Sequence, residues 1–324
     1  MSKNIINQIL QEMLKVLDNQ QLIILRKCLY RNLSTEYENK ADEVTNEVLL
    51  KKYFSAKRTE GCSEKSLTYY RKTIVKMLTS IELIATKITT DDLRSYLTNY
   101  QMEHNSSKIT IDNIRRILSS FFNWLEDEDY IVKSPVRRIH KIKTTTLVKE
   151  TYTDEELEKL RDNCTKIRDL AMIDLLASTG MRVGELVGLN RNDIDFSERE
   201  CVVLGKGDKE RVTYFDARAK LHLKNYLLTR QDSNAALFVG LRKPKMRLTI
   251  GGVESCLKRL GYKAEIGNVY PHKFRRTLAT IAIDKGMPIE QLQKLLGHKR
   301  IDTTLHYAMV KQQNVKLAHR KYIG

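Results

Sequence analysis

"ECVVLGKGDKERVTYF", residues 200–215, is the stretch on which the fold turns. Two β-rich runs flank a glycine-containing turn, which predicts a hairpin. Nearly everything around it carries the 3.6-residue spacing of helices. One hairpin among helices predicts a mainly α chain with a small antiparallel sheet, an α+β class. Just upstream, "TDEEL" (153–157) starts a helix, with Thr153 as cap and acids in the first turn. "IRDLAMIDLLAST" (167–179) is an apolar helix ended by Gly180. Helices resume after the hairpin and run to about residue 310.

Further out, "IDNIRRILSSFFNWLEDEDY" (111–130) is strongly amphipathic. Ile114, Ile117, Leu118, Phe121 and Leu125 form its stripe, and Arg115 and Arg116 fall off that stripe as candidate DNA contacts. The stretches 63–81 and 89–101 open on Ser, Thr or Asp caps. Near the N-terminus one amphipathic helix is predicted, with Ile6, Ile9, Leu10, Met13 and Leu17 on one face. Glu12, Asp18, Glu36 and Glu38 make that region better suited to protein contact than to DNA. Residues 133–149 hold six Lys or Arg, no acid, one proline and a threonine run. They predict an extended basic linker whose Arg137, Arg138, Lys141 and Lys143 lie on a phosphate backbone. The expected organisation is a helical extension (1–44), a helical domain (45–132), a basic linker (133–150) and a second domain with a C-terminal tail (151–324).

Lys and Arg number 57 against 40 Asp and Glu, a net charge of +17. That excess calls for a polyanionic partner, most simply double-stranded DNA. No apolar run reaches the roughly 18 residues of a membrane span, and the N-terminus lacks a signal-peptide cleavage pattern. The five cysteines are scattered, with no CxxC, which argues against a disulfide framework or zinc site and fits a reducing cytoplasm.

Four places put cations or histidines where helices and turns begin. "TGMRVGEL" sets Arg182 after a helix-ending glycine. "GKGDKER" sets Lys206 between two glycines that let the backbone approach a ligand. "YPHKFRRTLAT" opens a helix at Pro271 and puts His272 and Arg275 on one face. "LLGHKRIDTTLHY" (295–307) delivers His298 after Gly297 and ends in His306 and Tyr307. Each alone has a plain explanation: a surface ion pair, a common turn, a coincidence in a basic chain, a helix cap. Their joint occurrence, in this order, does not.

The region 151–310 resembles the catalytic domain of the tyrosine recombinases, the family of phage integrases and Xer-type resolvases. The resemblance implies that Arg182, Lys206, His272, Arg275, His298 and Tyr307 form the catalytic set. It also implies a helical core-binding domain that closes with the catalytic domain as a clamp on DNA. The expected product is a 3′-phosphotyrosine, with strands exchanged through a Holliday junction. A homotetramer on paired sites would be linked by exchange of the tail 308–324, with accessory DNA-bending or helper proteins as further partners. The alternatives are a type IB topoisomerase-like enzyme and a non-catalytic DNA-binding protein that kept the fold.

The chemistry suits these residue types. A phenol with a pKa of about 10 is a poor nucleophile until its proton leaves and the phosphate charge is masked. Two guanidiniums can hold non-bridging oxygens in bidentate fashion. Lys206 suits protonation of the departing 5′ oxygen, with Lys209 as its rival; His298 can donate to the phosphate, and His272 can relay the tyrosine proton. No Asp/Glu metal cluster accompanies them, which fits a metal-independent route with no cofactor. Adjacent helical residues point about 100° apart, so His306 is read as a packing or surface residue. Glu185 is expected to support the site, and Arg276 stands where the family pattern has a histidine. Arg242, Lys243, Lys245 and Arg247, in a loop before a helix, complete the expected phosphate contacts.

Overall fold

The structure, a computed structural model, describes residues 2–33, 45–143, 150–205, 210–298 and 300–305. Lys206, Lys209, His306, Tyr307 and the tail 308–324 lie outside the described residues. The chain divides into two compact units, Met1–Thr146 and Leu147–Gly324.

The first unit is helical: α1 (Ser2–Met13), α2 (Asn19–Leu33), α3 (Asn46–Thr59), α4 (Glu64–Ile81), α5 (Thr90–Glu103) and α6 (Lys108–Asp127). Local chemistry starts the last four. The side chains of Thr45, Ser63, Thr89 and Ser107 each accept the backbone N–H three residues on, and Asp92 completes a capping box with Thr89. The predicted stripe of α6 is buried throughout. It packs with Tyr53 and Phe54 of α3, Ile74 and Met77 of α4, and Leu93 and Leu97 of α5.

Two expectations need correction here. The N-terminal segment forms two helices, not one, because Asp18 starts a new one: its carboxylate accepts the Gln21 N–H at 2.9 Å while Gln21 Oε1 accepts the Asp18 N–H at 3.0 Å. Leu17 therefore sits in the turn, although it still packs against Ile6, Leu10 and Leu22. The basic stretch after 133 is not extended throughout. Pro135–Arg138 is a 3-10 turn, Pro135 and Val136 are buried, and the Ser134 N–H donates to Glu126 Oε2 at 2.9 Å.

The second unit contains α7 (Asp154–Asp162), α8 (Ile167–Thr179), α9 (Val183–Gly188), β1 (Ile194–Asp195), β2 (Glu200–Leu204), β3 (Glu210–Tyr214) and α10 (Ala217–Leu228). Then follow α11 (Ile250–Lys263), α12 (Pro271–Asp284), α13 (Ile289–Leu296) and α14 (Ile301–Leu305). The strands form an antiparallel sheet in chain order, with Val202 opposite Val212 and Val203 opposite Arg211. The mainly α class with one hairpin is thus what the molecule has. Cys201, Val203 and Thr213 face inward, whereas Val202, Leu204, Val212 and Tyr214 are exposed.

Helix α8 is central, packing chiefly on α10 and α12, and is buried nearly all round. Its polar residues are paired as burial demands. Arg168 binds Asp169, and Asp174 accepts from Arg161 Nε at 2.7 Å and pairs with His222 Nδ1. No helix among the described residues is long and apolar enough to cross a membrane.

Candidate active site

The site grows from two helix ends. Helix α8 stops at Gly180 (φ 59°) and α13 at Gly297 (φ 64°), both in the left-handed region that favours glycine. At both positions a side chain would have to displace a neighbouring one. A Cβ at 180 would lie 2.7 Å from Leu278 Cδ2, and one at 297 would lie 2.6 Å from Arg211 Nε.

Helix C-termini leave carbonyls without partners and carry the negative end of the dipole. Guanidiniums meet both ends. Arg275, fully buried near the start of α12, donates from Nη1 to Gly180 O at 2.8 Å and from Nη2 to Leu296 O. Arg182 is the N-cap of α9, and its Nη2 reaches Gly297 O at 3.4 Å. Two arginines 93 residues apart in sequence are thereby brought onto the same pair of helix ends.

Glu185 holds Arg182 in place. Its Oε1 accepts from Arg182 Nη1 at 2.9 Å, and its Oε2 accepts the Arg182 backbone N–H at 2.7 Å. The carboxylate is 3% exposed, whereas the Arg182 side chain keeps 40% of its surface. The expected supporting role of Glu185 has this geometry.

His298 follows Gly297 directly, and its Nδ1 lies 2.8 Å from the buried Thr304 Oγ1. Burial pushes the imidazole pKa down to about 4, and the positive fields of Arg275, Arg182, His272 and Arg211 add to the effect. His298 is therefore neutral at pH 7 and sits in a field that favours an anion. His272, exposed on the first turn of α12, contributes to that field.

A model of the phage integrase family matches residues 150–314, and one of the phage integrase N-terminal SAM-like domain matches residues 49–131. The chain belongs to the phage integrase family of tyrosine recombinases. A tyrosine recombinase XerC of Oceanobacillus iheyensis is 32% identical over 246 residues, covering 72% of this chain and 80% of the relative. Two solved structures share the fold. A XerH site-specific recombinase bound to palindromic difH substrate superposes with a TM-score of 0.67 at 19% identity, covering 98% of this chain and 95% of that one. The Tn1549 transposon integrase in complex with transposon right end DNA gives 0.69 at 18% identity, covering 85% and 99%.

The phage integrase match contains all six residues of the expected catalytic set. The structure brings Arg182, Arg275 and His298 together with His272 nearby; Lys206 and Tyr307 lie outside the described residues. Sequence reasoning missed Arg211. It is an inward residue of β3, and its Nη2 donates to Glu185 Oε2 at 2.7 Å. Strand alternation was the available signal, since Arg211 shares the inner face with Thr213.

The basic residues proposed for DNA contact differ in how free they are. Arg116, Arg138, Lys141, Lys143, Arg242 and Lys243 are exposed, and Arg137 is exposed with its Nη1 3.4 Å from Glu126 Oε1. Arg115 is tied to Asp112 at 2.8 Å, and Lys245 Nζ donates to Leu241 O at 2.6 Å. Arg247 caps the end of α9, donating to the carbonyls of Val187, Gly188 and Leu189 and to Asn190 Oδ1. Arg276, at the position where the family pattern has histidine, is buried and donates to the Tyr270 hydroxyl.

Proposed function

We propose that this tyrosine recombinase cuts and rejoins double-stranded DNA at specific sites, with Tyr307 as nucleophile. The observation that carries the reading is the convergence of Arg182 and Arg275 beside a neutral His298. Such a cluster suits a phosphodiester whose charge grows in the transition state.

In the proposed cycle the Tyr307 oxygen attacks phosphorus, and its proton passes to His272. Arg182, Arg275 and His298 hold the non-bridging oxygens. The bond from phosphorus to the 5′ oxygen breaks, and Lys206 protonates that oxygen. The strand then carries a 3′-phosphotyrosine and a free 5′ hydroxyl. Attack by the 5′ hydroxyl of a partner strand releases Tyr307, so one bond is made for each bond broken. Exchange of one strand pair creates a Holliday junction, and exchange of the second resolves it.

The net charge of +17 and the exposed basic residues support duplex DNA as the partner. We assign the assembly as a homotetramer on paired sites, with the tail 308–324 exchanged between subunits. Five free cysteines support a reducing cytoplasmic setting.

The test uses a nicked, end-labelled duplex carrying the DNA that flanks the gene, incubated with purified protein in EDTA. Wild type is expected to form an SDS-resistant adduct that Tyr307→Phe lacks at equal DNA affinity. Tight binding with no adduct by either protein would favour a non-catalytic binder. Relaxation of a plasmid lacking the site would favour a topoisomerase.

A further inference from the structure

We propose that Arg211 is a positioning residue for strand cleavage: by sharing Glu185 with Arg182 and buttressing Gly297, it fixes the Arg182 guanidinium and the turn that presents His298. The inference rests on the recombinase reading and adds a residue outside the six.

Three observations carry it. First, Glu185 is engaged from both sides. Oε2 accepts the Arg182 backbone N–H and Arg211 Nη2, each at 2.7 Å, and Oε1 accepts Arg182 Nη1 at 2.9 Å. A buried carboxylate with two cationic partners cannot pull either one fully onto itself. Without Arg211, Arg182 alone would have to neutralise Glu185, and its guanidinium would be drawn toward the carboxylate and away from an incoming phosphate.

Second, Arg211 touches the other half of the site. A Cβ on Gly297 would fall 2.6 Å from Arg211 Nε and 2.7 Å from its Cδ, so the backbone just before His298 lies directly against this side chain. Gly297 O is also the acceptor of Arg182 Nη2. One side chain on β3 thus abuts both supports, the N-terminus of α9 and the C-terminus of α13. It is the second residue of β3.

Third, Arg211 is held there against its own solvation. Its side chain is 12% exposed, and Nε and Nη1 are buried with no hydrogen-bond partner among the described residues. Burial is the first cause lowering its pKa, with the Arg182 charge adding to it. A buried ion pair can often be replaced by apolar residues of similar volume without loss of stability. A guanidinium in this position is poorly explained by packing alone and well explained by a need to divide the charge of Glu185.

The test compares wild type, Arg211→Met and Arg211→Lys in the full chain. Adduct formation on the nicked duplex is followed in single turnover, beside DNA affinity and thermal midpoint. Arg211→Met is expected to react roughly 100-fold more slowly, the order of loss when a reacting group is misplaced by about 1 Å. DNA affinity should stay near wild type, while the midpoint should fall because buried Glu185 loses one of its two cationic partners. Arg211→Lys, which keeps the charge but not the planar fork, should recover part of the rate. A wild-type rate in Arg211→Met overturns the proposal, as does a loss matched by falling affinity in both variants.

The Arg182 side-chain Nε–H resonance of the DNA-free protein gives a readout that needs no substrate. It should shift or broaden in Arg211→Met, and an unmoved signal overturns the proposal. If wild type forms no adduct, the recombinase reading fails on that duplex, and the resonance still decides whether Arg211 positions Arg182.

Discussion

Both units bury an apolar core, but only the second also buries charge among the described residues. Among the described residues, the only buried polar residue of Met1–Thr146 is Ser134, and no charged one is buried. The second unit buries Arg168, Asp169, Asp174, Glu185, Lys273, Arg275 and Arg276. Burying charge is costly unless every group is paired, so such charges concentrate where fixed polar geometry has a use. The first unit is an apolar helical packing problem, with its cations left outside to meet a partner. The second accepts the cost and gains guanidiniums held at defined positions.

That contrast can be broken by separating the unfolding of the two units. Trp124, the sole tryptophan of the chain, lies in the first unit. Its fluorescence reports that unit, while far-ultraviolet circular dichroism reports both. Phe121→Ala, in the aromatic cluster with Tyr53 and Trp124, should destabilise the first unit by about 4 kcal/mol. The urea midpoint by fluorescence should fall, with the remaining dichroism transition in place.

Arg275→Met comes next. It strips donors from the buried carbonyls of Gly180 and Leu296, a loss of about 2–3 kcal/mol. The dichroism transition should move, the fluorescence transition should not, and adduct formation should be lost. Equal movement of both signals in either variant would mean that the units unfold as one, and the comparison would fail.

The smallest effect is expected from His298. Its folded pKa of about 4 lies below the ordinary 6.5. The unfolded chain therefore takes up the proton first as pH falls from 6.5 toward 4, and the stability held above 6.5 is progressively lost. His298→Gln should flatten that part of the midpoint-versus-pH curve by a few degrees at most, because the ring is only half buried. An unchanged curve would show that burial and the neighbouring cations leave the His298 pKa near its ordinary value.

Much of the fold was legible because its signals are local. Thr89 with Asp92 and Thr153 with Glu156 are capping boxes readable from spacing, and the β2–β3 hairpin is readable from alternation. The break between α1 and α2 was equally local: Asp18 and Gln21 form the same kind of box, but the continuous apolar stripe through Leu17 masked it. Arg211 was hidden for another reason. Alternation puts it on the inner face of β3 with Thr213, but that weak signal is submerged in a segment with so many cations, and its partner Glu185 is 26 residues away.

Local signals were enough for most of the helices and caps, the hairpin, and the glycine-ended turns that deliver Arg182 and His298, because each rests on contacts within a few residues. The tertiary structure alone decided that Arg275 would meet Gly180, 95 residues earlier, and that Glu185 would lie between Arg182 and Arg211. Which helix end receives which guanidinium depends on how α8, α12 and α13 pack. Packing of that kind is set by many weak, non-directional contacts summed over the core, and no short stretch of chain encodes it.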